Sequence, residues 1–294
     1  MKQIGSILDE QNWLETMELA CKRSIDANPE REGDFMKDGF LHCGKCKEPK
    51  REYFEWHGHQ ILTSRDCKCI RDAEEAEEKR KKYEERMAKV ARLRSVSLMD
   101  EVFYKATFKN FDITDDNRKI YNACAKYCRA FQQMLEDNQG LLFYGNVGTG
   151  KSFAAACIGN YVMSCLRPVV MTSFVKLLPQ FSAFRDNDEQ DLIDRLTEPD
   201  LLILDDLGAE RNTDFALEKV YNVIDSRYRA RKPIILTTNL TLKEMKENTD
   251  IRYARIYDRV FEMCYPIKFE GSSRRRIEAK ERFDKMKSFL KGDD

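Results

Sequence analysis

Residues 145–152 carry the sequence pattern whose chemistry is easiest to name. They read Gly145-Asn146-Val147-Gly148-Thr149-Gly150-Lys151-Ser152, the G-x-x-x-x-G-K-S pattern called Walker A. Glycines at these positions let the backbone curl so that successive N–H groups point at phosphate oxygens. Lys151 then reaches the β- and γ-phosphates, and the Ser152 hydroxyl ligates Mg²⁺. Because an apolar segment precedes the pattern and a helix rich in small residues follows it, we predict a phosphate-binding loop between a strand and a helix.

A second candidate group ends the apolar run at residues 201–206, Leu-Leu-Ile-Leu-Asp-Asp. An acid after four apolar residues places a carboxylate at the carboxyl end of a buried strand, where ligands bind in open α/β sheets. We expect Asp205 to hold Mg²⁺ through its water shell. Asp206 stands where many ATPases of this type carry a glutamate that polarises the attacking water. Since Asp is one methylene shorter than Glu, Glu210 is the alternative candidate for that role.

Another apolar run, residues 232–239, ends in Asn239. A polar amide at the end of this strand is predicted to sense the γ-phosphate or to orient water. We predict that Thr237 and Thr238 are turn or cap residues. Near the carboxyl terminus, Arg275 lies in a run of three arginines, and we choose it as the residue that contacts the γ-phosphate within the same chain.

Two arginines, Arg255 and Arg259, are four residues apart and therefore share one face of a predicted helix. In an oligomeric ATPase, an arginine at this place reaches the nucleotide of the neighbouring protomer. We prefer Arg259 for this role, with Arg255 next. The alternative is that these arginines form surface ion pairs with Asp258 or Glu262.

Four cysteines near the amino terminus have the spacing of metal ligands. Cys43 and Cys46 form a C-x₂-C knuckle with an inner glycine, and Cys67 and Cys69 form a C-x-C pair after it. Four thiolates complete a tetrahedral Zn²⁺ site, and metal binding would supply folding energy to a segment with little core. A histidine could replace one ligand; the three histidines are His42, His57 and His59.

The remaining cysteines lie in apolar, helical contexts and are predicted to be core residues. They are Cys21, Cys124, Cys128, Cys157, Cys165 and Cys264. Basic and aromatic side chains alternate near the C-x₂-C knuckle, and they would suit either single-stranded DNA or a docked protein. They are Lys45, Lys47, Lys50, Arg51, Tyr53, Phe54 and Trp56.

The elements that position these residues fall into three stretches of the 294-residue chain. Residues 1–70 hold the predicted zinc-binding domain, and residues 71–104 form a charged helical linker whose helix is predicted at 71–94. Residues 105–294 alternate short apolar runs with helices, which predicts a parallel sheet covered on both faces. The predicted strands are 140–145, 168–173, 200–206, 232–239 and 265–270.

Composition limits the class of protein. Lys plus Arg and Asp plus Glu are 51 each, so bulk charge does not drive binding to nucleic acid, although a local basic groove remains compatible. No run is apolar enough for a transmembrane helix, and the first residues lack a secretory leader. Ten cysteines without a leader predict a cytoplasmic protein with reduced thiols.

Taken together, GLLFYGNVGTGKS, LLILDDLGAE, PIILTTN, ARIYDRVFEMC and GSSRRR resemble the DnaC/DnaI-type AAA+ ATPases, and IstB-type transposition helpers share much of this pattern. The resemblance covers about residues 105–285. It implies an α/β fold of the P-loop AAA+ (ASCE) type, with a five-stranded parallel sheet in the strand order 5-1-4-3-2. It also implies ATP and Mg²⁺ as ligands and assembly into open rings or spirals. The departure from the family pattern is Asp206, which puts the rate of hydrolysis in question.

The resemblance implies a helicase loader. Its amino-terminal domain would bind a replicative DNA helicase hexamer, and its ATPase domains would self-associate with ATP and hold single-stranded DNA. Hydrolysis, slow until stimulated, would release the helicase on DNA. Two alternatives remain at this point: an IstB-type transposition helper, and an adaptor that uses ATP as a slowly hydrolysed structural ligand.

Overall fold

The computed structural model describes residues 2–56, 58–97, 101–183, 186–210 and 213–291. The chain divides into two compact units, an amino-terminal unit of residues 1–84 and a carboxy-terminal unit of residues 85–294. The helices in the described residues are α1 (Lys2–Ala27), α2 (Lys68–Val96), α3 (Glu101–Tyr104), α4 (Arg118–Arg129), α5 (Phe131–Glu136), α6 (Lys151–Ser164), α7 (Phe174–Ala183), α8 (Asp186–Thr197), α9 (Asp214–Arg229), α10 (Leu242–Lys246), α11 (Ile251–Met263) and α12 (Arg274–Lys291). The strands are β1 (Phe35–Lys37), β2 (Phe40–His42), β3 (Arg51–Trp56), β4 (His59–Ser64), β5 (Gly140–Gly145), β6 (Val169–Ser173), β7 (Leu201–Leu207), β8 (Ile234–Thr238) and β9 (Cys264–Phe269).

Two antiparallel hairpins and α1 build the amino-terminal unit. Asp38 and Gly39 join β1 to β2 with φ angles of +52° and +82°, the left-handed pair that a two-residue hairpin turn requires. The second hairpin, β3–β4, pairs Tyr53 with Leu62. Helix α1 contacts β4 through Ser24, whose Oγ accepts the Ser64 backbone N–H at 3.2 Å and lies 3.2 Å from Thr63 Oγ1.

Helix α2 confirms the helix predicted at residues 71–94. Its surface carries ion pairs four residues apart, such as Lys82 with Glu78 at 2.5 Å. Both partners are exposed, so each such pair stabilises the helix only weakly. The last turns of α2 belong to the carboxy-terminal unit, because Leu93 is buried in the core of that unit.

The carboxy-terminal unit is built on a five-stranded parallel sheet in the order β6-β7-β8-β5-β9. Counted within this unit, that is the predicted order 5-1-4-3-2. Alternate residues of each strand enter two different cores: Leu202 and Leu204 lie in one, and Leu201 and Ile203 in the other. Helices therefore cover both faces of the sheet, which explains why the strands are continuous apolar runs in the sequence.

The structure corrects three expectations. Thr237 and Thr238 are buried residues of β8 rather than turn residues, although Thr238 also accepts a hydrogen bond from the Leu240 amide. Cys165 is exposed just after α6, so the prediction that it is a core residue was wrong. Lys50 is buried in an ion pair with Asp34 and is therefore not part of an exposed basic surface.

Within the described residues, every helix is too short or too polar to pass through a lipid bilayer.

Candidate nucleotide-binding site and cysteine cluster

The predicted phosphate-binding loop lies between β5 and α6, as its sequence context indicated. Gly145, Gly148 and Gly150 all have positive φ angles, which only glycine adopts without strain. A Cβ on Gly145 would lie 2.3 Å from the Phe269 carbonyl oxygen, and a Cβ on Gly148 would lie 2.1 Å from Ser273 Oγ. Both the backbone shape and the close neighbours therefore require glycine in this loop.

Lys151 begins α6, and its ammonium group lies within the loop. Its Nζ donates to the carbonyl oxygens of Gly145 at 2.8 Å and Asn146 at 2.7 Å, and to Oδ1 of Asn239 at 2.8 Å. Burial lowers the pKa of Lys151, while the charges of Asp206 and Asp205 oppose that change. The structure thus brings together three motifs that lie far apart in the sequence: the loop lysine, the acidic end of β7 and Asn239.

The two aspartates occupy a distorted end of β7. The register between β7 and β8 shifts between Leu204 and Leu207, and Asp206 has a φ of +56°, an uncommon value for a residue other than glycine. Burial raises the pKa of Asp206, and the negative charge of Asp205 raises it further. Asp205 is hydrogen-bonded to Thr237, a contact that sequence reasoning missed because a threonine in a strand gives no functional signal.

A cleft of about 760 Å³ opens over the loop, a volume typical of small-molecule sites. Its polar lining includes Lys151, Ser152, Asp206, Asn239 and Arg275. Apolar side chains on its wall include Phe103, Phe111 and Ile277.

Helix α12 starts at this cleft. The Arg274 backbone amide donates to the Gly148 carbonyl oxygen at 2.9 Å, and the Arg274 side chain pairs with Asp112 at 3.4 Å and lies over the Phe111 ring. The predicted residue Arg275 lines the cleft, and its positive charge lowers the pKa of Asp206 against the stronger effect of burial. Arg274 is a second cleft arginine that the sequence did not single out.

Glu210 lies apart from these groups. Its carboxylate accepts the Gly208 amide at 2.8 Å, and burial raises its pKa. The charge of Glu210 raises the pKa of Tyr253 and Tyr257, two residues of α11, so Glu210 lies near that helix. Glu210 does not line the cleft.

The two candidate trans-acting arginines differ in their surroundings. Arg259 Nε donates to Asp225 Oδ1 at 2.6 Å, and its guanidinium lies over the rings of Tyr221 and Tyr228. Arg255 is exposed, and within the described residues its side chain forms no ion pair. Arg259 therefore forms an ion pair within its own chain. Its partner is Asp225, whereas the alternative prediction named Asp258 or Glu262.

In the amino-terminal unit, the four predicted cysteines come together. The sulfur atoms of Cys43, Cys46, Cys67 and Cys69 all lie within 4.8 Å of one another. Backbone N–H groups of Glu48 and Cys69 lower the pKa of Cys46 to about 6, which favours the thiolate that a metal binds.

The histidines do not belong to this cluster as far as the structure describes them. His42 Nδ1 contacts the Phe40 carbonyl oxygen at 3.0 Å, and its ring stacks on Phe35. His59 is exposed on β4, and His57 lies outside the described residues.

A buried ion pair supports the knuckle. Lys50 Nζ donates to Asp34 Oδ2 at 2.6 Å, and the Gly44 amide, between Cys43 and Cys46, donates to Asp34 Oδ1 at 2.9 Å. Burial alone would raise the pKa of Asp34, but hydrogen bonds from Lys50 and from the amides of Gly44 and Arg31 together lower it to about 2.

Comparisons with known proteins identify the family of the chain. The family model for IstB-like ATP binding proteins matches residues 63–282. The phage-like element PBSX protein XkdC of Bacillus subtilis (strain 168) is 28% identical over 247 residues, which are 79% of this chain and 83% of XkdC. The replicative helicase loader DnaI of the same organism is 25% identical over 186 residues, and the match covers 58% of each protein. This chain therefore spans somewhat over half the length of DnaI.

A solved structure has the same fold. The crystal structure of the DnaC helicase loader superposes with a TM-score of 0.51 at 20% sequence identity, covering 58% of this chain and 100% of that chain. The P-loop AAA+ fold with its five-stranded parallel sheet, predicted from the sequence, is thereby confirmed, and so is the resemblance to the DnaC/DnaI group. The family match covers well over half of the chain, and the matched residues include the phosphate-binding loop. The chain therefore belongs to the IstB-like ATP-binding protein family.

Proposed function

We propose that this protein is an ATP-dependent helicase loader, which binds a replicative DNA helicase hexamer and delivers it to single-stranded DNA. The observation that carries the proposal is the match to relatives named replicative helicase loaders. The two-unit organisation supports it, because a P-loop cleft and a separate cysteine-rich unit are what a nucleotide-controlled docking protein needs.

ATP binds in the cleft over the phosphate-binding loop in this proposal. Backbone amides of residues 145–150 and the Lys151 ammonium hold the phosphates, and the apolar side chains Phe103 and Phe111 accommodate the base. Mg²⁺ would be held by Ser152 and, through water, by Asp205, and it would neutralise charge on the phosphates.

Asp206 is our choice for the carboxylate that orients the attacking water. It lines the cleft beside Lys151, whereas Glu210 lies near α11 and is absent from the lining. Its side chain is one methylene shorter than that of glutamate, so the carboxylate reaches less far toward the water, which favours slow hydrolysis. Asn239 and Arg275 would contact the γ-phosphate from the same chain.

Arg255 is now the better candidate for the arginine that reaches a neighbouring protomer's nucleotide. Its guanidinium is exposed on α11, while the ion pair with Asp225 and the stacking on two tyrosines hold Arg259 in place. This assignment requires ATP-dependent self-association, in which one protomer completes the site of the next.

A structural Zn²⁺ ion fits the four cysteines. Tetrahedral Zn²⁺ with Zn–S bonds of ~2.3 Å separates its sulfur ligands by ~3.8 Å, and the four sulfur atoms lie within 4.8 Å of one another. The thiolates of Cys43, Cys46, Cys67 and Cys69 would close the site, and the ion would stabilise a unit with a small core.

An exposed apolar patch on the same unit is our candidate docking surface for the helicase. It consists of Phe40, Tyr53 and Leu62: the Phe40 and Tyr53 rings are 5.5 Å apart, and Tyr53 pairs with Leu62 across the hairpin. Tyr53 and Leu62 are exposed in the structure. Contiguous apolar side chains with an exposed aromatic residue are typical of protein–protein interfaces.

A second function, the IstB-type transposition helper, is favoured by the description of the matching family model. Such a helper would hand target DNA to a transposase and would bind duplex DNA as readily as single strands. A loader would prefer single strands and would need a helicase.

The deciding experiment mixes the protein with its host's replicative helicase and ATP·Mg²⁺ and records native mass spectra. We expect a discrete complex on the helicase hexamer, and we expect Lys151→Ala to remove its dependence on ATP. Absence of a complex in every nucleotide state, with duplex DNA still bound, would refute the loader and support the transposition helper.

A further inference from the structure

One buried threonine connects the two acidic residues of the nucleotide site to the neighbouring strand. Thr237 Oγ1 donates to Asp205 Oδ1 at 2.6 Å and accepts the Asp206 backbone N–H at 2.9 Å. The side chain is completely buried in β8. Both contacts cross from β8 to β7 at the register shift that follows Leu204.

The direction of these hydrogen bonds is fixed by their chemistry. The Asp206 amide can only donate, so the Thr237 oxygen must accept there. The single hydroxyl proton of Thr237 is then available for Asp205, whose carboxylate accepts it. One hydroxyl therefore orients the Asp205 carboxylate and also satisfies a backbone amide that the irregular ladder leaves without a strand partner.

The second contact holds an unfavourable backbone conformation. Asp206 has a left-handed φ of +56°, and a residue other than glycine keeps such a conformation only where its surroundings impose it. The hydrogen bond from the Asp206 amide to Thr237 supplies part of that constraint. Thr237 therefore contacts the carboxylate of Asp205 and the backbone of Asp206, although it does not line the cleft.

We infer that Thr237 is a positioning residue for the Mg²⁺–nucleotide complex: its hydroxyl presents Asp205 to the metal's water shell and keeps Asp206 at the cleft. This inference rests on the proposed ATP- and Mg²⁺-binding function. Residues that hydrogen-bond to a metal-binding carboxylate set its orientation, and their removal typically lowers metal affinity.

The test is a binding titration of the full-length protein with a fluorescent ATP analogue, first in EDTA and then with increasing Mg²⁺. Thr237→Val keeps the size and shape of the side chain and removes the hydroxyl. We expect affinity in EDTA to change less than ~3-fold, while the Mg²⁺ concentration for the half-maximal effect rises ~10- to 100-fold. Thr237→Ser restores the hydroxyl and should return the Mg²⁺ requirement to near the wild-type value.

The sheet offers a matched control. Thr172 in β6 is also buried, and within the described residues its Oγ1 has no hydrogen-bond partner. Thr172→Val should therefore leave both titrations unchanged. If Thr237→Val does not yield folded protein, Thr237→Ala, which also removes the hydroxyl, provides the same comparison.

Three results would overturn the inference. One is a Mg²⁺ requirement of Thr237→Val equal to that of Thr172→Val, and another is a Thr237→Ser variant as impaired as Thr237→Val. The third is an equal loss of affinity with and without Mg²⁺, which would mark a general structural role. Wild-type protein that binds no nucleotide would instead refute the proposed function itself, together with this inference.

Discussion

Arginines on one helix face can have different roles, and their contacts distinguish them. Arg259 is only 23% exposed and pairs with Asp225, which is 12% exposed and also pairs with Arg229. A charge-assisted pair in such partly buried surroundings stabilises the packing of α11 on α9. The exposed Arg255 forms no such pair within the described residues, so its side chain can contact another molecule. Spacing in the sequence could not separate the two residues, because Asp225 lies on a different helix.

The contrast gives a prediction for two alanine variants. Arg259→Ala should lower the free energy of unfolding by roughly 1–3 kcal/mol, because it leaves the partly buried Asp225 with fewer charge-assisted hydrogen bonds. Arg255→Ala should change stability by less than about 0.5 kcal/mol, and it should remove the part of ATP hydrolysis that depends on protein concentration. Urea unfolding and ATPase assays over a range of protein concentrations measure the two effects. Normal stability of Arg259→Ala together with a lost concentration dependence would return the trans-acting role to Arg259.

At the scale of elements, the sequence predicted what depends on local pattern and missed what depends on neighbours. The five strands follow from apolar runs separated by helices, and the phosphate-binding loop follows from glycines at fixed spacing. The order of the strands came from the resemblance to a known family, because strand order depends on contacts between distant parts of the chain. The role of Thr237 depends on the pairing of β7 with β8, which no local pattern contains. Likewise, the sequence predicted Lys50 to be an exposed cation beside aromatic residues. In the structure its side chain is buried and pairs with Asp34, a residue earlier in the chain.

The cysteine cluster gives a prediction for the amino-terminal unit. If Zn²⁺ closes the site, removing it with a strong chelator should unfold this unit and leave the carboxy-terminal unit folded. Both tryptophans of the chain, Trp13 and Trp56, lie in residues 1–84, so their fluorescence reports on this unit alone.

Two cysteine variants make the same test without a chelator. Cys46→Ser should shift the tryptophan fluorescence as metal removal does and lower the zinc content measured by mass spectrometry. Cys165→Ser is the matched control, because this exposed cysteine lies outside the cluster, and it should behave as wild type. Unchanged fluorescence and zinc content in Cys46→Ser would exclude a structural zinc site there.

The Asp34–Lys50 pair predicts an acid-sensitive fold of the same unit. The pKa of Asp34 is lowered to about 2 in the folded protein, and it is ~3.9 in an unfolded chain. A lowered carboxyl pKa stabilises the fold above the unfolded value, and this stabilisation is lost as the pH falls from ~4 through ~2. Asp34→Asn should be less stable than the wild type at neutral pH, where the thiolates still hold Zn²⁺. Urea unfolding followed by tryptophan fluorescence at neutral pH measures this, and equal unfolding midpoints for the two proteins would contradict it.

At the scale of the whole molecule, the nucleotide site and the cysteine site lie in different units. The nucleotide cleft belongs to the carboxy-terminal unit, and the cysteine cluster and the Phe40–Tyr53–Leu62 patch belong to the amino-terminal unit. A formal net charge of zero gives no general attraction to DNA, so the proposed binding to single strands requires a local basic surface. Docking and nucleotide binding should therefore be separable by mutation.

Variants of two tyrosines in the amino-terminal unit test whether docking can be separated from nucleotide binding. Tyr53 and Tyr83 are exposed to similar degrees, 57% and 53%, but only Tyr53 lies in the apolar patch; Tyr83 is on α2. Aromatic residues often contribute more than ~2 kcal/mol at the centre of an interface, which corresponds to ~30-fold in affinity. Tyr53→Ala should weaken binding to the helicase hexamer by about that factor, and Tyr83→Ala should leave it unchanged, with ATP affinity equal to wild type in both. Titration of labelled protein with the helicase measures this; equal affinities of the two variants would mean that the helicase docks elsewhere, since surface tyrosines outside an interface contribute little to binding.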